Sequence, residues 1–130
     1  NLFVASWGGL YKLNIASKDL SPVKHNGTSF TNDIDGMYYY KGTLIAVQAV
    51  TGQNDDRIVQ FHLNKEQDGV EKVTVLQTYL PDFNLPTTGA ICGNKFYYIA
   101  NSFVNRLNPD RTLKDAATLQ KPLIKVLELK

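Results

Sequence analysis

One phrase occurs three times in these 130 residues: a short apolar run that reaches a small residue and passes into a polar loop. The copies are Leu2-Phe3-Val4-Ala5-Ser6, Thr43-Leu44-Ile45-Ala46-Val47 and Tyr97-Tyr98-Ile99-Ala100-Asn101. They stand roughly 40 to 55 residues apart, the period of a small sheet repeated around an axis. Such a sheet cannot hide both of its faces alone and needs a neighbour on each side. A second strand follows each copy, at Tyr11-Lys12-Leu13, Val59-Gln60-Phe61 and Asn105-Arg106-Leu107, with Asn14, Asn64 or Asn108 opening the next turn. A β-sandwich gives strands at similar spacing but not this internal echo. The expectation is an all-β chain forming a partial β-propeller of about three four-stranded blades, over residues 1–42, 43–95 and 96–130.

Alternation of apolar and polar residues supports strands at 10–15, 57–63, 70–79 and 123–129. Between them lie pairs that tolerate positive φ: Gly8-Gly9, Asn26-Gly27, Asp35-Gly36, Lys41-Gly42, Asp68-Gly69 and Gly93-Asn94. Asn26-Gly27, Asp35-Gly36 and Asp68-Gly69 are the pairs favoured in tight hairpins. Only 110–119 carries a weak helical pattern.

Composition removes several classes. With 43% hydrophobic and 20% charged residues the chain is too apolar for disorder. The net charge of +2 comes without any lysine or arginine cluster, so neither nucleic acid nor a membrane surface is an expected partner. No run of eighteen apolar residues is present, so no membrane span is expected. Cys92 is the only cysteine and reads as a small buried residue in the run Ala90-Ile91-Cys92. The chain enters a strand directly after Asn1, as a processed protein or a piece of a longer one would.

The segment Val4-Ala5-Ser6-Trp7-Gly8-Gly9-Leu10-Tyr11-Lys12-Leu13 resembles part of the gluconolactonase and luciferin-regenerating-enzyme (senescence-marker-type) family of six-bladed propellers. The resemblance spreads to the closing Gln120-Lys121-Pro122-Leu123-Ile124-Lys125-Val126 and implies the C-terminal half of such a ring. It further implies a divalent metal, calcium being one choice, held by Glu, Asn and Asp at the channel mouth, where it polarises a lactone carbonyl. Asn32-Asp33 takes the place of the family's Pro-Asp, which makes Asp33 the matching carboxylate. Two departures stand beside it. Ile34-Asp35 replaces the Gly-Met that follows, and the third copy has Pro86-Thr87, without a carboxylate. No part of the chain corresponds to the family's ligand Glu.

The resemblance thus implies a metal-dependent lactonase or esterase-type hydrolase with Asp33 as catalytic group and Asp33 and Asn101 as metal ligands. The alternative, which the residue type favours, is that Asp33 is a turn residue accepting backbone amides, and Asp35 reads as a turn former. Asn101 and Ser102 follow a strand end where a propeller presents side chains to its channel; the alternative is an Asn bonded to loop backbone. Trp7, Gln48 and Ser6 hold related places. Trp7, Gln48 and Ser102 are the substrate-binding candidates, Trp7 by stacking on a ring or, alternatively, by filling a gap between blades. His25 and His62 lack partners at metal-ligand spacing, so no zinc motif exists. The rival reading is a non-catalytic propeller that binds a small-molecule ligand or a protein on its channel face. Open blade faces imply self-association, or a missing N-terminal half that closes the ring.

Overall fold

The computed structural model describes residues 1–6, 8–25, 31–49 and 56–130. Among the described residues eleven strands appear, in the order β1 (Leu2–Ser6), β2 (Gly9–Leu13), β3 (Leu20–Pro22), β4 (Lys24–His25), β5 (Ile34–Tyr40), β6 (Thr43–Gln48), β7 (Arg57–Leu63), β8 (Gly69–Thr78), β9 (Gly89–Cys92), β10 (Lys95–Ile99) and β11 (Ile124–Glu128). Among the described residues there is no α-helix; the weak pattern at 110–119 yields one 3-10 turn, Ala116–Thr118. The protein is all-β, with three sheets ordered β1-β2-β3, β4-β8-β7-β6-β5 and β11-β10-β9. Neighbours are antiparallel except the short β4, which runs parallel to β8.

Turn chemistry explains where the chain reverses. Lys41 and Gly42 both have positive φ, 45° and 82°, as the two-residue hairpin between β5 and β6 requires. Asp35-Gly36 is not a turn: both residues lie inside β5. The borders expected at 42/43 and 95/96 fall in or beside the hairpin turns at Lys41-Gly42 and Gly93-Asn94, so β5 and β9 join the strands that follow them. The repeated phrase marks the edge strand β1 of the first sheet but the second strand, β6 or β10, of the other two, whose first strands, β5 and β9, do not echo one another. Asn105-Arg106-Leu107 is likewise not a strand. Val104–Arg106 is a 3-10 turn, and β11 pairs with β10 in its place. Cys92 is exposed rather than buried.

The middle sheet is covered on both faces. Alternate residues of β6 point to opposite sides, so Leu44 and Ala46 join Leu10, Val23, Val59 and Phe61 in a core shared with the first sheet. Ile45 and Val47 join Tyr40, Ile58, Phe96 and Tyr98 in a core shared with the third. The outer sheets differ from it. Leu2 and Val4 on the far face of the first sheet are 53% and 38% exposed, and Ile124 and Val126 on the far face of the third are 66% and 52% exposed.

The register of the first phrase differs from the sequence expectation by one residue. Phe3 packs into the core beside the middle sheet and Val4 points away from it. Val4, not Ala5, is therefore the counterpart of Ala46 and Ala100. A one-residue offset exchanges the two faces of a strand.

A seam of tyrosines joins the middle and third sheets. The Tyr38 hydroxyl bonds Thr88 Oγ1 at 2.8 Å and accepts the Gly89 amide at 2.5 Å. Its ring lies 5.1 Å from that of Phe96. Position 89 must be glycine, because a Cβ there would stand 2.7 Å from the Phe96 ring and press on the Tyr97 carbonyl. Tyr98 donates its hydroxyl to Gln77 Oε1 and stacks on Phe96 at 5.5 Å. Burial, reinforced by the nearby Asp82 carboxylate, pushes the Tyr98 phenol up to about 12.

That shift sets a pH dependence. The folded state keeps the Tyr98 proton above pH ~10, where the unfolded state has released it, so this group's stabilisation is intact below ~10 and disappears as pH rises toward ~12. Urea melts of the wild type should lose up to roughly tenfold in folding equilibrium constant per pH unit in that window relative to Tyr98→Phe. Parallel pH profiles for the two proteins would contradict the assignment.

Candidate functional site at the Asp33 corner

All three sheets meet at one end of the stack around a cleft of about 430 Å³. Ala5 and Ser6 reach it from the end of β1, Asp33 and Asp35 from the start of β5, and Leu85 and Val104 from the connections flanking the third sheet.

Backbone geometry places the two carboxylates. Asp33 adopts φ of 54°, in the left-handed region that Asp and Asn occupy more readily than other side chains. Its carbonyl accepts the Ala49 amide at 3.1 Å. The preceding peptide is fixed by a relay: Arg57 Nε donates to Gln48 Oε1 at 2.8 Å, and Gln48 Nε2 donates to the Asn32 carbonyl at 2.7 Å. One residue further on, Ile34 pairs with Gln48 and Gly36 with Val47, leaving Asp35 as the extra residue of a β-bulge. A bulge bends its strand and re-aims a side chain. Here it brings Asp35 to the same cleft as Asp33. Among the described residues, neither carboxylate forms a hydrogen bond or an ion pair. The turn reading, in which the Asp33 side chain accepts backbone amides, therefore lacks its bonds.

The other sequence candidates are placed differently. Gln48 is fully buried and held between Arg57 and Asn32, away from the cleft lining. Asn101 is 5% exposed, donates from Nδ2 to the Lys121 carbonyl at 3.2 Å and accepts the Leu123 amide on Oδ1 at 2.5 Å. Both ends of its amide close the long connection between β10 and β11, which is the loop-backbone alternative. Ser102 Oγ donates to the Leu85 carbonyl at 2.7 Å and steadies the wall of the cleft. Trp7 lies outside the described residues, as does Asn26-Gly27. His62 bonds Thr74 Oγ1 at 3.0 Å within the middle sheet, and His25 lies exposed on β4.

A divalent cation of the calcium type takes six to eight oxygen ligands. The corner offers two carboxylates, while the Ser6 hydroxyl donates to the Gly9 carbonyl at 3.4 Å and accepts the Gly8 amide at 3.3 Å, and Asn101 is already engaged. Among the described residues, no group of three or more His, Cys, Asp or Glu side chains is arranged to hold a metal. Sequence reasoning missed the role of Asp35 and of the Gln48–Arg57 pair. A signal for Asp35 was available: Lys41-Gly42 follows Asp35-Gly36 so closely that two turns would leave a strand of only four tyrosine-rich residues.

No family model matches the chain, and neither a curated protein nor a solved structure matches it.

Replacing Asn101 by Ala should cost about 1–3 kcal/mol, because the Leu123 amide and Lys121 carbonyl lose a buried partner. Hydrogen exchange should then quicken across 102–123 while β6 and β7 stay protected. Unchanged exchange in the connection would rule out the clamp.

Proposed function

We propose that this chain is the wedge-stacked half of a six-bladed β-propeller, and that the Asp33 corner binds a small ligand bearing a cationic or multiply hydroxylated group. The single observation that carries the binding reading is the Asp33 carboxylate. It lines a three-sheet cleft beside Asp35 with no described protein partner. Two carboxylates in a partly enclosed site favour a cation or hydroxyl donors, since hydrogen bonds to a charged acceptor are the stronger kind. The rigid Gln48–Arg57 relay beneath Asn32 supports a preorganised site.

A second reading is the metal-dependent lactonase-like hydrolase, favoured by Asp33 standing at the position matching the family's channel carboxylate. In that reading the remaining ligands come from residues beyond these 130. The test is a titration of labelled chain with small amines, their neutral isosteres and calcium. Under the binding reading, amines shift the amides of 33–35 and Ser6, and Asp33→Asn weakens them by about tenfold or more. Micromolar calcium binding that disappears in Asp33→Ala would favour the hydrolase. No response to any of them would remove both readings.

The propeller reading rests on the sense of the stack. Each sheet turns equivalent faces the same way: Leu2 and Val4 match Leu44 and Ala46, yet the first pair is exposed and the second is 1% and 0% exposed. The far face of the first sheet is thus built like an interior surface, and so is that of the third, with Tyr97, Ile124 and Val126. In a ring these two faces are covered, either by a second copy about a two-fold axis or by another half of the same ring. The isolated chain should therefore run at twice its mass by light scattering. Val126→Asp should return it to the mass of one chain with little change in melting. A wild-type monomer at high micromolar concentration would count against the open-ring reading.

A further inference from the structure

The walls of the Asp33 cleft distinguish between the two kinds of ligand that its carboxylates could hold. Beside Asp33 and Asp35 the lining is apolar: Ala5, Ile34, Ala49, Leu85 and Val104. Leu85 is a fixed wall, 7% exposed and at a positive φ of 51°. Side chains hold it there from both directions. Its amide donates to Asp56 Oδ2 at 3.1 Å, and its carbonyl accepts the Ser102 hydroxyl at 2.7 Å. Val104 is the opposite kind of wall. It is 55% exposed, sits in a short 3-10 turn that buries no side chain, and belongs to neither core.

Hydrogen-bond polarity points the same way. The Asp33 and Asp35 carboxylates can only accept. Ser6 directs its proton to the Gly9 carbonyl at 3.4 Å. Among the described lining residues, therefore, no side chain offers a free donor. A polyol has hydroxyls that both donate and accept, and burying them here leaves their oxygens without donors. An ammonium group has donors alone, and an aliphatic body requires only apolar surface. From this we infer that the cleft takes a primary amine carried on a compact aliphatic chain. The ammonium lies between Asp33 and Asp35, and the chain runs along Leu85 and Val104. A cleft of about 430 Å³ has room for several carbons. The carboxylates fix the charged end, while Leu85 and Val104 determine specificity for the body. This ligand class rests on the binding reading of the Asp33 corner and narrows it, setting the multiply hydroxylated ligand aside.

The probes are methylamine, n-hexylamine, n-hexanol and glycerol, each titrated into the labelled full chain and read at the amides of 33–35, 85 and 104. Each buried methylene should tighten binding roughly twofold to fourfold, so hexylamine should outbind methylamine by at least about thirtyfold. Hexanol and glycerol should each bind about tenfold or more weakly than hexylamine. Val104→Ser, at an exposed position, should shrink the hexylamine advantage by about threefold and leave methylamine affinity unchanged. Equal affinity for the two amines, glycerol binding as tightly as hexylamine, or a hexylamine advantage untouched by Val104→Ser overturns this ligand class and leaves the Asp33 reading in place. Hexanol matching hexylamine, or no response at 33–35 to any of the four, removes that reading and the ligand class with it.

Discussion

Burial of β6 on both of its faces is the constraint from which the rest of this structure follows. Five consecutive side chains, Leu44 to Gln48, are withdrawn from water, and alternation sends the first four, Leu44 to Val47, into two different cores. Neither core exists without the strand between them. At about 25 cal/mol per Å² of apolar surface removed from water, the large aliphatic side chains of one such strand contribute several kcal/mol. The flanking sheets are held to the middle one by that contribution, and the cleft at the Asp33 corner is a by-product of how the three sheets meet.

Much of this order was legible in the sequence, for a definite reason. Strands at 57–63 and 70–79 announce themselves by alternation, and a recurring apolar run that ends in a small residue marks β1, β6 and β10. The first strands of the meanders were harder to read. β5 carries Asp35-Gly36, a pair with turn chemistry, because a bulge and a close approach to Thr88 both favour it. β9 is only four residues long and begins at a glycine that packing requires. Local propensity and tertiary demand point in different directions at both places, and tertiary demand prevails.

The candidate site divides along the same line. Asp33 could be picked out from its motif-like setting, and it does face the cleft. Gln48, Asn101 and Ser102 drew notice as polar residues at strand ends, yet each is occupied in fixing backbone. That is the commoner fate of a buried amide or hydroxyl, since leaving it unpaired costs more than the bond returns. Nothing in their spacing distinguishes a side chain aimed at a channel from one turned back on the loop. Only the pairing partners, such as the Lys121 carbonyl and the Leu123 amide for Asn101, make that distinction.

The arrangement at Asn101 also bears on how such a chain can diversify. Some twenty residues leave the third sheet after β10 and return at β11, and both ends of the excursion are pinned at one place, by the Asn101 amide and by the Ala100–Leu123 backbone bond. Lengthening a loop whose ends are already fixed adds only a slowly growing entropic cost. The excursion is therefore modular: its interior can be exchanged or enlarged as a cassette, altering what lies beside the corner cleft while the sheets keep their register.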